Sequence, residues 1–190
     1  MKKLIIMPAY NEQEIIEETI EETNNYCPDF DVLVINDCSK DETVKIIKNV
    51  SCKYVDLPIN LGIGGAVQTG YIYAYENGYD IAVQMDGDGQ HSPKSMKQLI
   101  EPILKDEADF VIGSRFITRE GFQSSAARQA GIKFLSLLIN AVCSQKVCDV
   151  TSGYRAANKK AIKILMKDYA QDYPEPEAII TLKRNNLRIK

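Results

Sequence analysis

Residues 81–91 read IAVQMDGDGQH: a short uncharged apolar run that passes straight into two aspartates spaced by glycines. Four similar runs occur along the chain, at 3–7 (KLIIM), 32–36 (VLVIN), 53–57 and 110–113 (FVIG). Four to five residues with few charges is how strands buried on both faces read. Helix-period segments separate them, at 12–26, 41–50, 65–77 and 93–105. In the first, Ile16, Ile20 and Thr23 share one face; in the last, Ser92 stands as N-cap before Pro93 at the first helical position. Strand and helix alternating in this way predict an α/β fold, a mostly parallel sheet with helices on both faces. Beyond residue 115 the rhythm changes. A longer helix is predicted over 124–144 with an apolar block at 134–142, then a loop and short strand over 147–158, helices over 160–168 and 175–185, and a strand beginning at 187–190 (LRIK).

The whole chain of 190 residues fits one domain, 1–190. Apolar residues make up 45% and charged residues 26%, which argues against disorder. The net charge of −3 lacks the cationic excess that phosphate-backbone binding demands, so no nucleic-acid partner is expected. The apolar start stops at Pro8, too early for a signal peptide, and no run approaches the ~18 apolar residues of a membrane span. Five cysteines without CxxC spacing read as reduced thiols of a cytoplasmic protein.

Ligands of open parallel sheets bind beyond the carboxyl ends of the strands. There stand Pro8-Ala9-Tyr10-Asn11-Glu12, Asp37 with Cys38-Ser39-Lys40-Asp41, Asp86-Gly87-Asp88 and Gly113-Ser114-Arg115, so carboxylates converge on one edge. Asp86 and Asp88, two residues apart, suit one hard divalent cation that keeps open positions for substrate phosphates. Gln90 offers a further oxygen and His91 a nitrogen. Against this stands a glycine-rich turn whose aspartates only bind backbone amides. A calcium loop of the EF-hand kind fails, because Gln90, His91 and Lys97 occupy the positions it needs as Asp or Asn, Gly and Glu. Asp37 reads either as an acceptor for a nucleobase ring N–H, flanked by Tyr10, or as an Asx turn. Gly62-Ile63-Gly64-Gly65-Ala66-Val67 follows the third strand rather than the first, which weakens a dinucleotide reading. Arg115 and Arg155, beside small residues, are candidates for phosphate contact by bidentate bonding.

Six motifs in order, PAYNE (8–12), INDCSKDET (35–43), NLGIGGAVQTGY (60–71), MDGDGQHSP (85–93), GSRF (113–116) and DVTSGYRA (149–156), resemble glycosyltransferase family 2 enzymes of the GT-A, Rossmann-like fold. The likeness is greatest to the dolichyl-phosphate mannose synthase and polyprenyl-phosphate glycosyltransferase branch. It implies that Pro8, Tyr10, Glu12 and Asp37 bind the nucleotide, together with Asp86, Arg115 and Arg155 toward the nucleotide sugar. It implies that Asp86, Asp88 and Gln90 hold Mg²⁺ or Mn²⁺. It puts Asp149 with Ser152 and Gly153 beside the acceptor, and Asp88, Asp149, Glu175 and Glu177 among the catalytic candidates. The expected reaction is inverting transfer of a sugar from a UDP- or GDP-sugar to a polyprenyl phosphate. A glycan hydroxyl acceptor in cell-surface polysaccharide synthesis, with Glu175 or Glu177 as base, and non-catalytic nucleotide-sugar binding stand as alternatives. Relatives usually run on past LRIK, so a C-terminal extension is expected to be missing. The block at 134–142 reads as a packing helix or as an amphipathic helix on the cytoplasmic face of a membrane, with Arg115, Arg119, Arg128 and Lys133 toward anionic headgroups.

Overall fold

The computed structural model describes residues 1–113 and 149–190. In chain order the described elements are β1 (Lys3–Ala9), α1 (Ile16–Tyr26), β2 (Asp31–Asn36), α2 (Thr43–Asn49), β3 (Lys53–Asp56), α3 (Gly62–Glu76) and β4 (Ile81–Gln84). A single 3₁₀ turn at Pro93–Ser95 leads into α4 (Met96–Leu104), followed by β5 (Phe110–Ile112), β6 (Arg155–Asn158), α5 (Lys159–Leu165) and α6 (Pro174–Arg184). The expected helix over 124–144, its apolar block, Arg115, Arg119, Arg128, Lys133, Cys143 and Cys148 lie outside the described residues. Among the described cysteines, Cys27, Cys38 and Cys52 are free thiols.

The six strands form one sheet in the order β3-β2-β1-β4-β6-β5. The first four run parallel, while β6 is antiparallel to both β4 and β5. Alternate strand residues feed two cores. Leu4, Ile6, Leu33, Ile35 and Ala82 meet Ala66, Val67 and Tyr71 of α3, Ile162 of α5 and Ile179 of α6. Ile5, Met7, Val32, Val34 and Val83 face Ile16 and Ile20 of α1, Ile47 of α2 and Leu99 of α4. The period of two sends neighbours to opposite faces, and both faces are covered. Ile16 and Ile20 are wholly buried; burial of such a side chain is worth ~1.5–3 kcal/mol.

β3 departs from the expected double burial. It stands at one edge of the sheet, and Lys53, Tyr54 and Asp56 are exposed. The stretch 187–190 does join the sheet, because Ile189 bridges Phe110 in parallel and Lys190 N donates to Phe110 O. α1 starts at Ile16 rather than residue 12, since Asn11 takes a left-handed φ of 57° and the chain first turns on Glu12 O. Ser92 supplies no side-chain cap; Asn158 does, accepting from the amides of Lys160 and Ala161 at the start of α5.

The register places the site. Ala9 sits opposite Asn36 at the ends of β1 and β2, and β4 ends alongside at Gln84, paired with Ile6. Because β6 runs the other way, Arg155 at its start pairs with Gln84 at the end of β4. Residues 149–154 therefore enter the same rim as the loops that follow β1, β2 and β4.

Candidate functional site

Hydrogen bonds lace those loops together. Asn11 accepts from Lys40 N through Oδ1 (2.8 Å) and donates its own amide to Ser39 Oγ (2.9 Å). Glu12 N donates to Thr43 Oγ1, and Asp37 N donates to Ala9 O. Asp37 Oδ1 accepts from Leu61 N at 2.7 Å, while its carbonyl accepts from Asn60 Nδ2. Asp37 thus anchors the entry to α3 as well as facing the cleft. α3 also comes close to the chain before α6: a Cβ on Gly64 would fall on the carbonyl oxygen of Ala170, so only glycine permits this approach.

Between the loops lies a cleft of 410 Å³, lined by Pro8, Ala9, Tyr10, Glu12, Asp37, Asn60, Gly62, Ile63, Ala66, Asp86, Gly87 and Asp88. Of the sequence-predicted residues it gathers Pro8, Tyr10, Glu12, Asp37, Asp86 and Asp88. Four of its lining residues carry carboxylates, and no Lys, Arg or His is among the described lining. The crowding is felt. Burial first, then the charges of Asp88, Asp41 and Asp86, hold the Glu12 carboxyl above its ordinary value.

Asp86 is the most constrained of the four. Its Oδ2 faces His91 Nε2 at 3.1 Å, and the His91 ring stacks on Tyr154 with centroids 5.2 Å apart and planes 13° from parallel. Asp86 Oδ1 is buried without a hydrogen-bond partner. Burial pushes the Asp86 carboxyl up, but the hydrogen bond and charge of His91, the neighbouring Gln84 amide and the Arg155 charge outweigh it and hold it below its ordinary value. A Cβ on Gly153 would stand 2.7 Å from Asp86 Oδ2, so the chain there is built to let the carboxylate lie against bare backbone. Asp88 is tied more loosely, its Oδ1 accepting from Gln90 N at 3.0 Å.

These residues fit a divalent cation. Asp86 offers an ionised oxygen with unspent acceptor capacity, Asp88 a second carboxylate on the same cleft, and the surrounding negative charge favours a cation. No group of three His, Cys, Asp or Glu side chains among the described residues forms a metal cage. Two carboxylates with substrate phosphates completing the set is the arrangement that hard cations such as Mg²⁺ accept.

Other expectations come out differently. Arg155 does not face the cleft: it is fully buried, with Nε on Ser152 O (2.6 Å), Nη1 on Glu175 O (2.7 Å) and Nη2 on Val150 O (2.9 Å). Three of its five N–H donors go to backbone carbonyls, and the buried guanidinium is absent from the cleft lining, away from a phosphate held there. Asp149 is buried too, and its Oδ1 accepts from the amide and hydroxyl of Thr151, shaping the turn that leads to Gly153. The Gln90 side chain is exposed and outside the cleft lining; its amide is what meets Asp88. Glu175 and Glu177 sit in the first turn of α6, behind Tyr173 at a left-handed φ of 51°. Both Glu175 and Asp86 bear electrostatically on the buried Tyr169 hydroxyl, which donates to Gln84 Oε1. Arg115 lies outside the described residues.

Gln84 and Tyr169, a buried polar pair near Asp86, stand outside the motifs that point to the site. A signal existed in Gln84, the one polar side chain of IAVQM, which is fully buried.

No helix among the described residues is long and apolar enough to cross a membrane. Comparison with known proteins gives a consistent result. The model of the family "Glycosyl transferase family 2" matches residues 4–165. The chain is 34% identical to a UDP-N-acetylglucosamine–dolichyl-phosphate N-acetylglucosaminyltransferase of Methanococcus voltae, over 97% of this chain and 81% of the relative. It is 31% identical to an undecaprenyl-phosphate mannosyltransferase of Micrococcus luteus, over 88% of this chain and 71% of the relative. Among solved structures it superposes on glucosyl-3-phosphoglycerate synthase from Mycobacterium tuberculosis, in complex with Mn²⁺, UDP and glucosyl-3-phosphoglycerate, with a TM-score of 0.75. That match has 19% identity and covers 97% of this chain and 66% of the neighbour, a likeness of fold.

Proposed function

The chain belongs to glycosyl transferase family 2, a family of GT-A-fold glycosyltransferases, and from that premise we propose that it transfers a sugar from a nucleotide-diphosphate sugar to a polyprenyl phosphate. The observation that carries the donor half is the charge of the cleft. Four carboxylates line it and no cationic side chain is among its described lining. A diphosphate entering alone would meet like charge; with one Mg²⁺ or Mn²⁺ on Asp86 and Asp88 it would not. That cation would supply Lewis-acid neutralisation of the charge that gathers on the departing nucleoside diphosphate.

The chain's own residues divide the remaining work. Asp86 and Asp88 hold the cation position, Asp86 in a pose kept by His91. Pro8, Tyr10 and Asp37 wall the nucleotide end of the cleft, with the Asp37 carboxylate also fixing the turn into α3. Arg155 acts from behind: by holding the carbonyls of Val150, Ser152 and Glu175 it joins the 149–154 turn to the start of α6. Attack by the acceptor on the face of the sugar opposite the leaving diphosphate inverts the anomeric carbon. The acceptor half rests on the two relatives named for dolichyl and undecaprenyl phosphate. A lipid phosphate is already an anion at neutral pH, so no protein base is required of Glu175 or Glu177. The setting we propose is the cytoplasmic face of a membrane, with the protein bound peripherally.

The test is a transfer assay with radiolabelled UDP- and GDP-sugars, undecaprenyl or dolichyl phosphate in detergent, and Mn²⁺. Label passing into the organic phase, abolished by EDTA, is expected. Label passing instead to sugar hydroxyl acceptors, or no turnover of any donor, would overturn the assignment.

A further inference from the structure

We propose that His91 is a positioning residue that locks the orientation of the Asp86 carboxylate for cation binding, rather than a ligand of the cation. This rests on the cation reading of the cleft given above. A carboxylate accepts but does not donate, so the 3.1 Å contact has His91 Nε2–H donating to Asp86 Oδ2. Nε2 is therefore spent on the aspartate and is not free for a cation. Among the described residues His91 is not grouped with two further His, Cys, Asp or Glu side chains that could hold a metal.

The ring is itself held. It lies flat against Tyr154, centroids 5.2 Å apart. The Tyr154 hydroxyl donates to Ser92 O (3.4 Å), and its amide donates to Ser152 Oγ (3.2 Å). Tyr154 thus links the turn after Asp149 to the segment that carries His91. On its other side Asp86 Oδ2 rests against Gly153, where a Cβ would intrude at 2.7 Å. Donor, stacked ring and bare glycine together hold the carboxylate in this pose. Oδ2 has two lone pairs, so the His91 bond leaves it able to accept again, and buried Oδ1, with only the Gln84 amide nearby, makes no well-formed hydrogen bond. Groups that orient a ligand in this way act through pre-organisation, and their loss is felt in affinity.

The experiment is equilibrium dialysis of Mn²⁺ against the protein, with UDP, and in a parallel set GDP, equal on both sides. His91→Phe keeps a flat ring for Tyr154 but removes the donor; His91→Gln keeps an N–H at the same reach but removes the ring. His91→Phe is expected to weaken Mn²⁺ binding by about 10- to 100-fold, with His91→Gln within about threefold of the native chain. Gly153→Ala, which displaces the carboxylate from its other side, is expected to weaken Mn²⁺ binding as well, and His91→Leu replaces His91→Phe if that variant does not fold. Native-like Mn²⁺ affinity in the donor-less variant, or equal loss in His91→Phe and His91→Gln, overturns the proposal while the cation reading stands. If the native chain and Asp86→Asn bind Mn²⁺ equally poorly, the cation reading itself falls and takes the proposal with it.

Discussion

Arg155→Met separates what the sequence suggests of this arginine from what the structure shows. The guanidinium is fully buried and makes three hydrogen bonds of 2.6–2.9 Å to backbone carbonyls, with the Phe110 ring 5.8 Å from its central carbon. Hydrogen bonds from a charged donor are worth ~1.5–3 kcal/mol each, or ~4.5–9 for three. Removing the charge also returns the cost of having buried it, several kcal/mol for a guanidinium. The net expected loss is ~3–5 kcal/mol, because three inward carbonyls are left without donors. For a domain of this size that lowers the unfolding midpoint by roughly 6–20 °C. Calorimetric unfolding measures it, and nucleotide affinity is read well below the variant's midpoint, where the chain is folded. A midpoint within about 2 °C of the native chain together with a collapse in UDP and GDP affinity would refute the anchoring role and restore phosphate contact.

Three further outcomes follow from the same geometry. Gly64→Ala drives a Cβ onto the Ala170 carbonyl oxygen and is expected to cost ~1–3 kcal/mol in thermal unfolding; an unchanged midpoint would show that the α3 contact is not tight. Asp109 is held well below the usual carboxylate range by its hydrogen bond to the Arg188 side chain, against burial, with the Arg188 amide, Asn158 and the Arg188 charge adding to it. A depressed carboxylate stabilises the fold fully above its unfolded value of ~3.9 and loses that contribution as pH falls further. Asp109→Asn should therefore melt below the native chain at pH 7, with the gap narrowing as pH is lowered from about 4 toward 2; a gap constant down to acid pH would contradict this. Asp86→Asn is expected to lower transfer by about 10³-fold with an unchanged far-ultraviolet spectrum, and turnover near the native rate would remove the aspartate from the chemistry.

Much of the scaffold is legible in the sequence, for a physical reason. Buried parallel strands must be short, apolar and nearly uncharged, and KLIIM, VLVIN and IAVQM announce themselves by that demand. The tips of those strands also point to the cleft: Tyr10, Glu12, Asp37, Asp86 and Asp88 do line one space. Edge strand β3 reads as buried in the sequence because its composition does not reveal that one flank lacks a neighbour. Arg155 misled for a related reason. An arginine after Ser-Gly-Tyr reads alike whether its partners are phosphates or carbonyls, and only the antiparallel return of β6 beside β4 turns it inward. The His91–Tyr154 stack joins residues 63 positions apart in sequence, and no local pattern encodes such a pair.

The central claim is that one divalent cation sits between the Asp86–Asp88 carboxylates and the donor diphosphate. Anomalous diffraction from crystals grown with Mn²⁺ and either UDP or GDP tests it most directly. The account predicts a manganese peak within bonding distance of both carboxylates and of diphosphate oxygens. Nucleotide bound in the cleft with no peak there, or a peak remote from both aspartates, would contradict it.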